Sequence, residues 1–166
     1  MSTIVPILFE DIHYGKIVEQ LCRKLEDLGV DYDPQMVSSY LKPEWITTMV
    51  GDYDTAHDLV VYETVVIPSS GLPGIIAGRT NNPVVACQRR PSVMAQRYDT
   101  SSMETSEDCP VLFAFGPENS ALAAANILSL SDPDLKTRLD EYRESRIDEL
   151  GRIEGRDLLR LPKKKT

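Results

Sequence analysis

The chain has 166 residues, of which 42% are hydrophobic and 27% are charged, and its formal net charge at neutral pH is −8. This length and composition predict one globular domain with a single sizeable core, and they exclude a disordered or fibrous protein. The acidic charge argues against a nucleic-acid partner, because nucleic-acid binders present a basic face to the phosphates.

The termini and the cysteines exclude further classes. No run approaches the roughly 18 to 20 apolar residues that span a bilayer, and residues 1–9 lack the pattern of a signal peptide, so we expect a cytoplasmic protein without a membrane partner. Cys22, Cys87 and Cys109 show no CxxC spacing, which predicts neither a disulfide framework nor a metal site. We interpret the basic run Lys163–Lys165 as a solvated tail.

The first half of the chain alternates predicted strands and helices. Residues 4–9 are apolar without alternation, which suits a strand covered on both faces, although Pro6 removes a ladder donor. From Gly15 the apolar residues recur at three- and four-residue spacing, which predicts an amphipathic helix with a left-handed cap at Gly29. A second strand is predicted over residues 32–37 and a second helix from Pro43, where proline suits the first helical position.

The second half continues the alternation. The β-branched residues 59–67 predict a strand with an irregular entry at Tyr62 and Glu63. The remaining predicted elements are, in order, a short helix over 72–80, strands over 83–87 and 111–115, an alanine-rich helix over 121–130 and a last helix from Pro133 with a break at Gly151. We divide the chain into one domain, residues 1–150, and an extension, residues 151–166.

This alternation predicts a three-layer α/β fold. Right-handed crossovers between parallel strands place helices on both faces of the sheet. Ligands in such sheets bind beyond the carboxyl ends of the strands, which points to the loops after Phe9, Val37, Ile67 and Cys87.

Several motifs resemble the PurE family of aminoimidazole ribonucleotide carboxylases and mutases. The run ALAAANILSLSDPDLKTRLDEYR from Ala121 resembles that family's C-terminal signature, in which an "AA-x-IL" helix is followed by "SDPEL" and a terminal helix. The stretches GPEN at 116–119 and YDTSSM at 98–103 resemble its preceding loops. The stretches GLPG at 71–74 and PVVAC at 83–87 are most similar to the animal-type, class II members.

The resemblance implies a flavodoxin-like fold assembled as a compact octamer, with the C-terminal helix used in oligomer contacts and active sites built from loops of neighbouring subunits. It implies transfer of a carboxylate onto a carbon of an aminoimidazole ribonucleotide. The carboxylate comes from an N-carboxylated form of the same molecule in the mutases, and from carbon dioxide in the carboxylases. No metal or organic cofactor is implied.

The first loop differs from the family pattern. Where the family has a phosphate-binding "GS-x-SD" loop after the first strand, this chain has Phe9-Glu10-Asp11-Ile12-His13. A carboxylate close to a phosphate is repelled by about 1 to 4 kcal/mol per pair, which argues against phosphate binding in that form. His13 is a candidate for a relocated proton shuttle; the alternative is a structural loop histidine.

The second loop differs at the residue that the family uses as proton shuttle. Its "SAH-R/K-x-P" motif corresponds here to Ser38-Ser39-Tyr40-Leu41-Lys42-Pro43. Tyr40 stands at the histidine position and is a candidate acid or base if the cation of Lys42 depresses its pKa. The alternative is a tyrosine that packs where the histidine lay. Ser38 and Ser39 are candidate ligand contacts.

The third and later loops keep several serines. Pro68 stands at the arginine position of the family's "AGRSN" loop, followed by Ser69, Ser70 and Gly71, and Ser101 and Ser102 begin the segment that resembles "SSLRLPSG". We predict that these serine-containing stretches contact a ligand. The candidate ligand residues after Ser39 are therefore Ser69, Ser70, Gly71, Ser101 and Ser102.

Three functional hypotheses follow from these loops. The first is an active carboxylase or mutase with a rebuilt site. The second is a paralogue whose pocket serves a different, less anionic small molecule, with or without chemistry; a nucleotide-like molecule is one candidate. The third is a non-catalytic assembly partner that uses only the octamer-forming surfaces, either as a homo-oligomer or together with a catalytic homologue. The simultaneous change of at least three loops favours the second and third over the first.

Overall fold

The computed structural model describes residues 2–66, 70–88 and 104–157, with side chains described as far as Gly151. Its described strands form one parallel sheet in the order β2-β1-β4-β5-β6, in which β3 also pairs with β1. The strands are β1 (Thr3–Phe9), β2 (Tyr32–Met36), β3 (Leu59–Val60), β4 (Tyr62–Val65), β5 (Val84–Gln88) and β6 (Leu112–Phe115).

Five α-helices and one short 3-10 helix are described between and after these strands. They are the 3-10 helix at Ile12–Tyr14, α1 (Gly15–Asp27), α2 (Pro43–Ala56), α3 (Leu72–Ala77), α4 (Pro117–Leu128) and α5 (Pro133–Asp157). Proline lies in the first turn of α2, α3 and α4, where its missing N–H costs no helical hydrogen bond. Gly29, at φ +66°, takes the left-handed conformation predicted for it after α1.

The helices cover both faces of the sheet. Helices α1, α4 and α5 bury their apolar residues on one face, against side chains of β1, β4 and β5. Helices α2 and α3 bury theirs on the opposite face. The three-layer, flavodoxin-like α/β fold with a parallel sheet is thereby confirmed.

One break in the sheet was predicted at the wrong residue. The strand predicted over 59–67 is interrupted at Val61, and not at Tyr62 and Glu63. The N–H of Val61 donates to the carbonyl of Ile4 at 3.2 Å, and the next donor from β1 toward this strand would be the nitrogen of Pro6. Proline has no N–H, so the ladder is interrupted there.

Two helix boundaries also differ from the prediction. Helix α4 begins at Pro117 rather than at residue 121, because the proline and the acidic Glu118 suit a helix start. Helix α5 does not break at Gly151 and extends to Asp157. An isolated glycine costs a helix only about 1 kcal/mol, and Gly151 has open space around it.

Candidate functional site

The side chain of Glu10 joins three loops at the carboxyl edge of the sheet. Glu10 follows β1, Ser39 lies beyond β2, and Ser70 lies beyond β4. One carboxylate oxygen, Oε1, accepts hydrogen bonds from the backbone N–H of Ser39 at 2.9 Å and from its Oγ at 2.5 Å. The other oxygen, Oε2, accepts from the Oγ of Ser70 at 2.6 Å. We call these three donors the serine cradle.

The serine cradle is withdrawn from solvent and contains only neutral donors. Ser39 and Ser70 are 9% and 5% exposed. None of the ion pairs between described residues involves Glu10, and the three hydrogen bonds to its carboxylate come from neutral groups. Each hydrogen bond to a charged group contributes about 1.5 to 3 kcal/mol, so the carboxylate fixes the three loops relative to one another.

Asp11 and His13 form a pair beside the serine cradle. The Oδ1 of Asp11 accepts from the backbone N–H of His13 at 2.9 Å and lies 2.7 Å from its Nδ1. The hydrogen bond from the backbone of His13, followed by the one from its ring, lowers the pKa of the Asp11 carboxyl. A neutral imidazole that donates through Nδ1 keeps Nε2 as a proton acceptor, and the His13 side chain is 86% exposed.

Tyr40 and Lys42 are not brought together. Tyr40 is 78% exposed, and its role at the histidine position stays a prediction. The ammonium of Lys42 lies 5.6 Å from the centre of the Trp45 ring. Between described residues, no hydrogen bond joins Lys42 to the Tyr40 hydroxyl, so the proposed assistance of Tyr40 has no support in this geometry.

Of the other predicted ligand residues, some make local hydrogen bonds and others lie outside the described residues. The Oγ of Ser38 accepts from the backbone N–H of Leu41 at 3.2 Å and shapes the turn beyond β2. Gly71 precedes α3, and the Oγ of Ser70 also accepts from the N–H of Leu72 at 3.2 Å. Ser69, Ser101 and Ser102 lie outside the described residues, and their role as ligand contacts stays a prediction.

A cavity of about 360 Å³ adjoins the serine cradle through Ser70. It lies between helix α3 and the segment 104–109, and its polar lining includes Arg79, Glu104 and Ser106. A cavity of this volume accommodates a small molecule. The guanidinium of Arg79 donates to Thr47 Oγ1 at 2.6 Å and to the carbonyl of Ile75 at 2.7 Å, which anchors it on the cavity wall.

Sequence reasoning missed a buried carboxyl group beneath this edge. Glu63 is fully buried in β4, where its Oε2 accepts from the Ser120 Oγ at 2.6 Å and its Oε1 has no partner. Burial raises its pKa to about 8, against a smaller lowering by the Ser120 hydrogen bond. The signal in the sequence was a lone acidic residue within the β-branched run 59–67.

The three cysteines differ in burial. Cys22, Cys87 and Cys109 are free thiols. Cys87 is buried in the core, and this burial raises its pKa to about 12. A thiol in this state is a poor nucleophile. Across residues 2–66, 70–88 and 104–157, no group of three or more potential ligands is placed to hold a metal, and no helix could cross a membrane.

The sequence matches the model of the AIR carboxylase family over residues 6–149. The chain belongs to the AIR carboxylase family. Among its relatives, a phosphoribosylaminoimidazole carboxylase of Archaeoglobus fulgidus is 26% identical over 84% of this chain and 75% of its own length. An N5-carboxyaminoimidazole ribonucleotide mutase of Bacillus subtilis is 27% identical over 87% of this chain and 92% of its own length.

A solved structure of a family member has the same fold as this chain. The crystal structure of Treponema denticola PurE superimposes with a TM-score of 0.84 at 25% identity, and the match covers 93% of this chain and 98% of that one. Relatives named carboxylase and relatives named mutase have similar identities to this chain. The predicted closeness to class II members of the AIR carboxylase family therefore stays a prediction.

Proposed function

We propose that this AIR carboxylase family member binds, at the carboxyl edge of its sheet, a small nucleotide-like molecule that is less anionic than aminoimidazole ribonucleotide. Family membership supports a role related to carboxylate transfer in purine biosynthesis. The transfer itself is altered or lost in this proposal, and the protein is cytoplasmic. The ligand lies next to the serine cradle and extends into the cavity beside α3.

One observation carries the proposal: the carboxylate of Glu10 fills the serine cradle where the family resemblance implies a phosphate. Ser39 and Ser70 already donate to Glu10, and Asp11 adds a second carboxylate in the same loop. A phosphate brought to this loop meets repulsion of about 1 to 4 kcal/mol per close carboxylate, and the donors that would offset it are engaged. A ligand without a phosphate avoids both costs.

A specific contact favours a second candidate, an active carboxylase with a rebuilt site. Asp11 orients the imidazole of His13 through Nδ1, which is the arrangement that keeps Nε2 available as a base. His13 would then replace the family histidine whose position Tyr40 holds. A third candidate is a non-catalytic partner that assembles as a homo-oligomer, such as an octamer, or with a catalytic homologue.

Turnover of aminoimidazole ribonucleotide separates these candidates. The purified protein and an active family enzyme are assayed side by side for conversion between the ribonucleotide and its carboxylated product. The proposal predicts turnover at least about 1,000-fold below the active enzyme, a barrier difference of about 4 kcal/mol. Turnover near that of the active enzyme, lost in His13→Ala and kept in Tyr40→Phe, would establish the second candidate instead.

Co-assembly has its own measurement. The protein is mixed with a catalytic homologue from the same cell, and the mass of the assembly is measured by native mass spectrometry. Mixed assemblies whose activity per catalytic subunit exceeds that of the homologue alone would support the third candidate. Separate homo-oligomers would contradict co-assembly with that homologue.

A further inference from the structure

The donors around Glu10 have the arrangement expected of a site for an external oxyanion. A backbone N–H and a hydroxyl of Ser39 converge on one carboxylate oxygen, and a hydroxyl of Ser70 reaches the other. Glu10 arrives from the loop after β1, 29 residues before Ser39 and 60 before Ser70. Donors and acceptor therefore come from separate loops of the same sheet edge.

The donors of the serine cradle are shielded from solvent. Ser39 and Ser70 are almost fully buried, so water replaces a lost partner poorly. Removing the Glu10 carboxylate would leave buried donors unsatisfied, which is unfavourable until another acceptor of similar shape arrives. A carboxylate or a phosphate has oxygens at suitable spacing for that purpose.

We propose that Glu10 is the specificity-determining residue of this site, a built-in anion that fills the serine cradle and excludes external oxyanions from it. The excluded class comprises carboxylates and phosphate monoesters. This inference rests on the proposed function and deepens it, because it names the residue that makes the site select a less anionic ligand. Replacing Glu10 with a short side chain opens the cradle to an oxyanion.

The competing explanation is that Glu10 only braces the loops. A brace predicts that substitutions lower stability and that added anions change the melting temperature of every variant equally. A built-in anion predicts that an external oxyanion restores stability only where the carboxylate is gone. The two explanations therefore differ in the response of the variants to anions.

The experiment compares wild type with Glu10→Ala, Glu10→Ser and Glu10→Gln. Melting temperatures are measured over a concentration series of inorganic phosphate or acetate, with chloride as the control at matched ionic strength. Because a ligand that binds only the folded state raises its stability, we expect Glu10→Ala and Glu10→Ser to show a saturable rise in melting temperature. Wild type and Glu10→Gln, whose amide still fills the cradle, are expected to respond only as they do to chloride.

A double variant tests whether the anion binds at the serine cradle. Comparing phosphate with acetate shows which class of anion binds there. Adding Ser70→Ala to Glu10→Ala removes one donor and should weaken anion binding by at least about tenfold. A response to acetate alone assigns a carboxylate site, and a response to phosphate alone assigns a phosphate site; either supports the proposal. Equal responses in all variants, or no saturable response in any, would overturn it.

Folding failures also give an answer. Glu10→Ala that folds in phosphate or acetate but not in chloride supports the proposal, whereas Glu10→Ala and Glu10→Ser that remain unfolded in every anion contradict it. The inference rests on the proposed function, but the two are tested by different measurements. Wild-type turnover of the ribonucleotide would defeat that function and leave the anion response of the variants intact, and an absent anion response would leave the turnover result unchanged.

Discussion

Two glutamates of this protein accept hydrogen bonds from serines, but Glu10 is half-buried and Glu63 is fully buried. Glu10 accepts three hydrogen bonds from Ser39 and Ser70. Glu63 accepts one, from Ser120, and lies in the apolar core with its second oxygen unpartnered. Burial opposes ionisation more strongly than the single hydrogen bond favours it, so the pKa of Glu63 is raised.

Glu63 makes the stability of the fold depend on pH. Its pKa of about 8 in the folded chain exceeds the value of about 4.3 expected in the unfolded chain, so the folded state binds the proton more tightly. Its contribution is complete below about pH 4.3 and is lost as the pH rises toward 8, by on the order of 3 to 5 kcal/mol. We expect Glu63→Gln to remove this loss.

Urea denaturation of wild type and Glu63→Gln at pH 5, 7 and 9 measures the effect. The two proteins share every other titrating group, so the difference between their free energies of unfolding isolates residue 63. That difference should shift in favour of Glu63→Gln as the pH rises. A difference that stays constant from pH 5 to 9 would show that the buried carboxyl does not titrate in this range.

At the scale of the elements, two glycines differ in whether their backbone conformation requires glycine. Gly29 ends the turn after α1 at φ +66°, and a Cβ there would meet the Arg138 side chain at 3.4 Å. Gly51 lies within α2 at an exposed position, where a Cβ would find nothing within 4 Å. The left-handed turn requires glycine, whereas the helix would be more stable with alanine.

Alanine substitutions test this contrast. Gly29→Ala should lower the free energy of unfolding by about 1 to 2 kcal/mol, because an L side chain is strained in the left-handed region. Gly51→Ala should raise it by about 0.5 to 1 kcal/mol, since it removes backbone entropy from the unfolded chain. Chemical denaturation measures both, and a change of the same sign in the two variants would refute the assignment.

The elements themselves could be predicted because their signals are local. The three- and four-residue spacing in α1, the cap at Gly29 and the proline at Pro43 each act over a few neighbours. The break at Val61 was misplaced because its cause, the missing N–H of Pro6, acts across the sheet from a different strand. The sequence contained Pro6, but only the strand register shows which residue it faces.

At the scale of the molecule, the sequence predicted which loops meet at the candidate site but not which side chains bond to one another there. The parallel sheet predicted that the loops after β1, β2 and β4 would meet, and they do. That Glu10 would bind Ser39 and Ser70 depends on side-chain packing between residues far apart in the chain. Glu10 was therefore interpreted as a repulsive charge, and its second role as an acceptor for the serines was missed.

The affinity of the wild-type protein for aminoimidazole ribonucleotide, compared with its affinity for the riboside that lacks the phosphate, tests the central claim most directly. Isothermal titration calorimetry measures both dissociation constants under the same conditions. We predict that the riboside binds at least as tightly as the ribonucleotide, because Glu10 occupies the cradle and repels the phosphate. Ribonucleotide binding tighter than riboside binding by about tenfold or more, equivalent to about 1.4 kcal/mol, would contradict the account.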